Sequence, residues 1–128
     1  MPATILVAED HEPSRALLLT RLKKHGYHVI SATNGAEAVS LTLENAPQLI
    51  LMDLSLPVMD GIEAWCTIQE MTDHPPPAIA LTAACIQEVR LTCEEIGFSA
   101  FLTKPCAFAA LIAEIERALA PPKMAVAI

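Results

Sequence analysis

Five polar side chains stand where short apolar runs end. Glu9 and Asp10 follow the run 4–8, Asp53 follows 48–52, Thr82 follows 78–81, and Lys104 follows 100–103. Carboxylates brought together at ~4 Å repel by about 4 kcal/mol per pair at an effective dielectric of 20. One ammonium, Lys104, offsets part of that, and a divalent cation offsets the rest. Oxygen-only donors with one or two carboxylates suit Mg2+, with Mn2+ as a substitute. A cation, a Lys and a Thr hydroxyl around one Asp oxygen are the groups that move a phosphoryl group onto a carboxylate. They neutralise charge on both sides and hold the nucleophile in line. Each residue alone has a plainer reading: an Asp after a strand commonly caps a helix or makes a turn. The placement of all of them at the ends of successive runs favours the chemistry.

Holding these groups together requires the runs to be parallel strands. Between them lie helix signals. Pro13 suits a first turn, Leu18, Leu19 and Leu22 share a face, and Gly26 ends that helix. The second strand, 27–32, is more polar. Asn34-Gly35 then turns the chain, and Ala36, Val39 and Leu43 share a helix face that Pro47 ends. Helix 61–71 carries Ile62, Trp65 and Ile68. Ile86, Val89, Cys93 and Ile96 form a stripe up to Gly97, and Phe108, Leu111, Ile112, Ile115 and Leu119 form another. Five strands, apolar throughout apart from the second and separated by helices, imply a parallel sheet covered on both faces. The expected fold is α/β: a flavodoxin-like, doubly wound (βα)5 three-layer sandwich with strand order 2-1-3-4-5. The ligand crevice then lies between strands 1 and 3, the two that carry the carboxylates.

The 128 residues suit one domain, expected over 1–120, with 121–128 as a tail or the start of a linker. The net charge of −7 argues against direct nucleic-acid binding. No apolar run approaches the ~20 residues of a membrane span. The N-terminus lacks a signal-peptide pattern, so a cytoplasmic location without membrane contact is expected. The cysteines at 66, 85, 93 and 106 form no metal or redox spacing and read as small apolar residues. His11, His25, His28 and His74 read as surface, and Trp65 as core or half-buried.

With ILVAED (5–10), LMDLSLPVMDG (51–61), ALTA (80–83) and FLTKP (101–105), the chain resembles the receiver domain of bacterial two-component response regulators. The resemblance runs from residue 4 to about 119. It implies that Asp53 accepts a phosphoryl group from a histidine kinase or a histidine phosphotransfer protein. It implies an Mg2+ held with Asp53 by Asp10 directly, by Glu9 through water, and by the backbone carbonyl of Ser55. Thr82, Lys104 and the backbone N–H groups of Leu54 and Ala83 would cradle the phosphoryl group. Lys104–Pro105 would be a cis peptide, and Phe101 would be a switch coupled to Thr82. The readout face would be helix 85–96, strand 100–103 and helix 106–119, turned toward a downstream protein target. The module would be a monomer or a phosphorylation-dependent dimer, free-standing or excised from a hybrid histidine kinase. Its own activity would be self-phosphorylation and autodephosphorylation rather than a metabolic reaction. Glu9 stands for the family's commoner Asp, Phe101 for its commoner Tyr, and Ser99-Ala100 for a commonly acidic pair. Ser55 and Ala84 occupy positions that tune dephosphorylation.

Three other readings compete. An aspartate-nucleophile phosphatase of the haloacid dehalogenase type needs a second Asp two residues on, where this chain has Ser55. A flavin binder would not place Glu9-Asp10-His11-Glu12 at its phosphate loop. A degenerate receiver, working as a phosphorylation-independent protein-binding module, would have no use for five filled positions.

Overall fold

The computed structural model describes residues 2–83 and 86–120; Ala84, Cys85 and the tail 121–128 lie outside the described residues. Strands and helices alternate: β1 (Thr4–Ala8), α1 (Glu12–Lys24), β2 (His28–Ala32), α2 (Gly35–Asn45), β3 (Leu49–Asp53), α3 (Gly61–Met71), β4 (Ala78–Thr82), α4 (Gln87–Glu95), β5 (Ala100–Thr103) and α5 (Phe108–Leu119). All neighbouring strands are parallel, in the order β2-β1-β3-β4-β5. This is the doubly wound flavodoxin-like sheet expected from the alternation.

The two-residue period of the strands sorts the core into two layers. Leu6, Ile50, Met52 and Ala80 pack with Ala38 of α2, Trp65 and Ile68 of α3, and Cys93 of α4. Ile5, Val7, Leu51 and Ile79 pack on the other face with Leu22 of α1 and Leu111 and Ile115 of α5. The central strands β3 and β4 are buried along their whole length, which explains their uninterrupted apolar sequence. Trp65 is core, and its indole N–H donates to the Ile96 carbonyl at 2.9 Å, tying α3 to the end of α4.

Register sets the carboxyl edge level. Ala8 lies beside Met52, Asp53 beside Leu81, and Thr82 beside Thr103. A cavity of about 410 Å³ opens at the opposite edge by Gln48 and Pro77, away from these strand ends.

Two details differ from the sequence expectation. Ile86 was expected on the buried stripe of the fourth helix. It is instead that helix's N-cap residue and 55% exposed. The helix starts at Gln87, so Ile86 has extended backbone and falls off the 3.6-residue face. Leu43, expected on the inner face of α2, is exposed. His25 is exposed as expected but has partners: its ring stacks on Tyr27 at 5.9 Å and meets Phe108 edge-on at 6.2 Å.

Candidate functional site

Glu9 leaves the end of β1, and its N–H donates to Ala32 O of β2 at 3.0 Å. Asp53 is the last residue of β3. Both are nearly buried, at 2% and 6% exposed, whereas Asp10 is exposed. An oxygen from each of Glu9, Asp10 and Asp53 can lie within 4.8 Å of the others. Lys104, just past β5, reaches back over them. Its Nζ donates to Glu9 Oε1 at 2.5 Å and to Asp53 Oδ2 at 2.6 Å. The Lys104 N–H donates to Thr82 O at 2.7 Å, fixing the residue against β4, and Lys104–Pro105 is cis.

The pleat explains the grouping. Counting by twos from the strands places Glu9, Asp53 and Lys104 on the α1–α5 side, and Thr82 with Phe101 on the α2–α3–α4 side. Thr82 is 1% exposed. Phe101 is half-buried against the core, with the Arg90 guanidinium 5.8 Å from its ring centre.

Not every backbone group expected in the cradle is available. The Leu54 N–H already donates to the Leu81 carbonyl at 3.0 Å, continuing the β3–β4 ladder. The amide that meets the carboxylate is that of Ser55, 2.8 Å from Asp53 Oδ1. Ala83 and Ser55 are both exposed at the crevice. Ala84, expected to tune dephosphorylation, lies outside the described residues.

One neighbour was missed in the sequence. Arg15 Nη1 donates to the carbonyl of Glu9 at 3.1 Å and of Asp10 at 3.5 Å, clamping α1 to the acidic loop. A cation one turn into the helix after an acid pair is the signal that could have found it. His11 is the N-cap of α1, its ring accepting from the Ser14 N–H.

The charge balance has a direction. Burial, then the neighbouring Asp53, pushes the Glu9 carboxyl above its ordinary range, and Lys104 only partly opposes this. Burial pulls the Lys104 ammonium down, but Asp53 and Glu9 more than offset it, so its pKa is raised. The site therefore holds excess negative charge. Its all-oxygen donor set, with carboxylates already close together, fits Mg2+ better than a softer metal. Ligands must be deprotonated to bind. Mg2+ affinity is therefore expected to fall as pH drops through the raised Glu9 pKa, by up to about tenfold per pH unit, and titration calorimetry at several pH values checks this. Affinity that stays constant as pH is lowered through the range in which Glu9 takes up its proton would contradict it.

Fold and site together define a flavodoxin-like α/β module with an acidic, Lys-bridged pocket at its topological switch point. The chain belongs to the response regulator receiver domain family, whose model matches residues 5–116. It is 32% identical over 118 residues to the polar-differentiation response regulator DivK of Brucella anthropi, covering 91% of this chain and 95% of that protein. It is also 32% identical to the transcriptional regulatory protein PrrA of Mycobacterium tuberculosis, covering 90% of this chain but only 49% of PrrA. Among solved structures, one is the Saccharomyces cerevisiae histidine phosphotransfer protein Ypd1 with the receiver domain of its downstream response regulator Ssk1. It matches with a TM-score of 0.84 and 33% identity, over 90% of this chain and 87% of that one. The chain is a receiver domain of two-component signalling.

Proposed function

We propose that this receiver takes a phosphoryl group from the phosphohistidine of a histidine kinase or histidine phosphotransfer protein onto Asp53. One observation carries the reading. The Asp53 carboxylate, 6% exposed at the switch point, is held between the Lys104 ammonium at 2.6 Å and the Ser55 N–H at 2.8 Å. These contacts fix the carboxylate for attack along one direction. An Asp53 oxygen bonds to phosphorus while the phosphorus–nitrogen bond to imidazole breaks, and the electron pair leaves with that nitrogen. Lys104 neutralises charge on the arriving oxygens, and the Thr82 hydroxyl offers a further donor. Asp10, Glu9, Asp53 and the Ser55 carbonyl would hold Mg2+, which when bound supplies further charge neutralisation.

The consequence is a change at the α4–β5–α5 face, read by a downstream protein. Phe101 lines two shallow cavities there, of about 240 and 190 Å³, which leave its ring room to move. The phosphoryl group shifts that face only by as much as it prefers one arrangement. A cytoplasmic setting fits a module of this kind, and no described helix is long and apolar enough to cross a membrane.

Intact-mass spectrometry tests the reading, with acetyl phosphate and with phosphorylated yeast Ypd1 as donors, with and without Mg2+, beside Asp53→Asn. A single phosphoryl adduct that needs Mg2+ and is absent from Asp53→Asn is expected. No adduct under rapid quenching would leave a phosphorylation-independent binding module.

A further inference from the structure

The loop between β3 and α3 carries an unusual residue. Val58 has φ of 70°, and the Met59 N–H donates to the Pro57 carbonyl at 2.7 Å across it. That is a γ-turn of the left-handed sense, the rare and strained form. A β-branched residue is a poor occupant of positive φ, where glycine carries no Cβ penalty and asparagine is far commoner than valine. The turn itself has a structural purpose. It lets Leu56 and Met59 on either side both pack against the core, and the Gly61 N–H closes the loop onto the Leu54 carbonyl at 3.1 Å. The valine side chain has none. It is 84% exposed, the most exposed large apolar side chain among the described residues.

Its position supplies an occupant. Val58 stands five residues past Asp53, on the loop that rims the crevice. Asp53 is nearly buried, so a phosphohistidine reaching it must insert, and the surface that carries it must close over the rim. We infer that Val58 is an apolar contact and specificity residue for the protein surface surrounding the donor phosphohistidine. The inference rests on the proposed phosphoacceptor role.

Val58→Asn and Val58→Gly relieve the turn and remove the apolar contact, while Val58→Ile keeps both strain and contact. Asn and Gly are expected to raise Tm by about 4 °C. They are expected to leave labelling by acetyl phosphate unchanged and to slow transfer from phosphorylated Ypd1 about tenfold. Ile should behave as the wild type with both donors. An unchanged or lowered Tm in both Asn and Gly variants overturns the strain premise. Equal transfer from Ypd1 to wild type and both variants, including none to any, overturns the contact. Failure of acetyl phosphate to label the wild type removes the phosphoacceptor reading instead.

Discussion

Lys104→Ala is expected to lower the metal-free stability by about 2 kcal/mol near pH 8, discounted from a fully buried ion pair because the lysine is partly exposed. The ammonium lies between two nearly buried carboxylates, and its removal leaves them facing one another. The pH dependence follows from the Glu9 shift. A carboxyl whose folded pKa is raised binds its proton more tightly in the folded state, so its ionisation costs stability as pH rises past the unfolded value near 4.5. Without Lys104 that cost grows and reaches to higher pH. The variant's deficit should therefore be largest at high pH and shrink as pH falls and Glu9 takes up its proton. Lysine itself stays charged across this window, since its own pKa is raised. Adding Mg2+ should recover part of the deficit by supplying the missing positive charge. Thermal unfolding at pH 5 and 8, with and without Mg2+, measures all three effects. A deficit that grows as pH falls would contradict them.

Gly61→Ala should cost about 3 kcal/mol and misplace the Asp53 carboxylate, a larger effect than a helix-favouring substitution at a first helical turn suggests. A Cβ at residue 61 would sit 2.3 Å from the Asp53 carbonyl oxygen and 2.9 Å from the Leu54 Cα. Both obstacles are backbone at the end of a fully buried strand, so neither can yield cheaply. The start of α3 must move away, taking the 54–61 loop with it, or Asp53 must move out of line with Lys104. Denaturant unfolding should show the loss, and labelling by acetyl phosphate should slow in the fraction that remains folded. A variant as stable and as reactive as the wild type would show that the loop does not position Asp53.

The sheet order was legible because polarity marks the strands. The uninterrupted runs at 49–52 and 78–81 are buried on both faces, and the more polar second strand lies at an edge. The gathering of Glu9, Asp10, Asp53 and Lys104 was legible for the same reason, since parallel strands put their carboxyl ends on one side. Finer features depend on where the backbone leaves its ideal path. The engaged N–H of Leu54 follows from the ladder running one residue past Asp53. Ile86 left its expected stripe because its helix begins one residue later. The γ-turn at Val58 was hidden because valine is the wrong residue to signal it. Arg15 was overlooked because it touches the acidic loop through carbonyl oxygens, which no side-chain pattern records.

The central claim is that Asp53 carries the phosphoryl group, and borohydride trapping tests it most directly. An acyl phosphate is reduced to the alcohol, so a phosphorylated aspartate becomes homoserine, and peptide mapping then locates the change. With acetyl phosphate and Mg2+, homoserine is expected at position 53 and at no other carboxylate. Homoserine at Asp10, 5-hydroxynorvaline at Glu9, or no reduced residue anywhere after an adduct has been seen by intact mass, would contradict it.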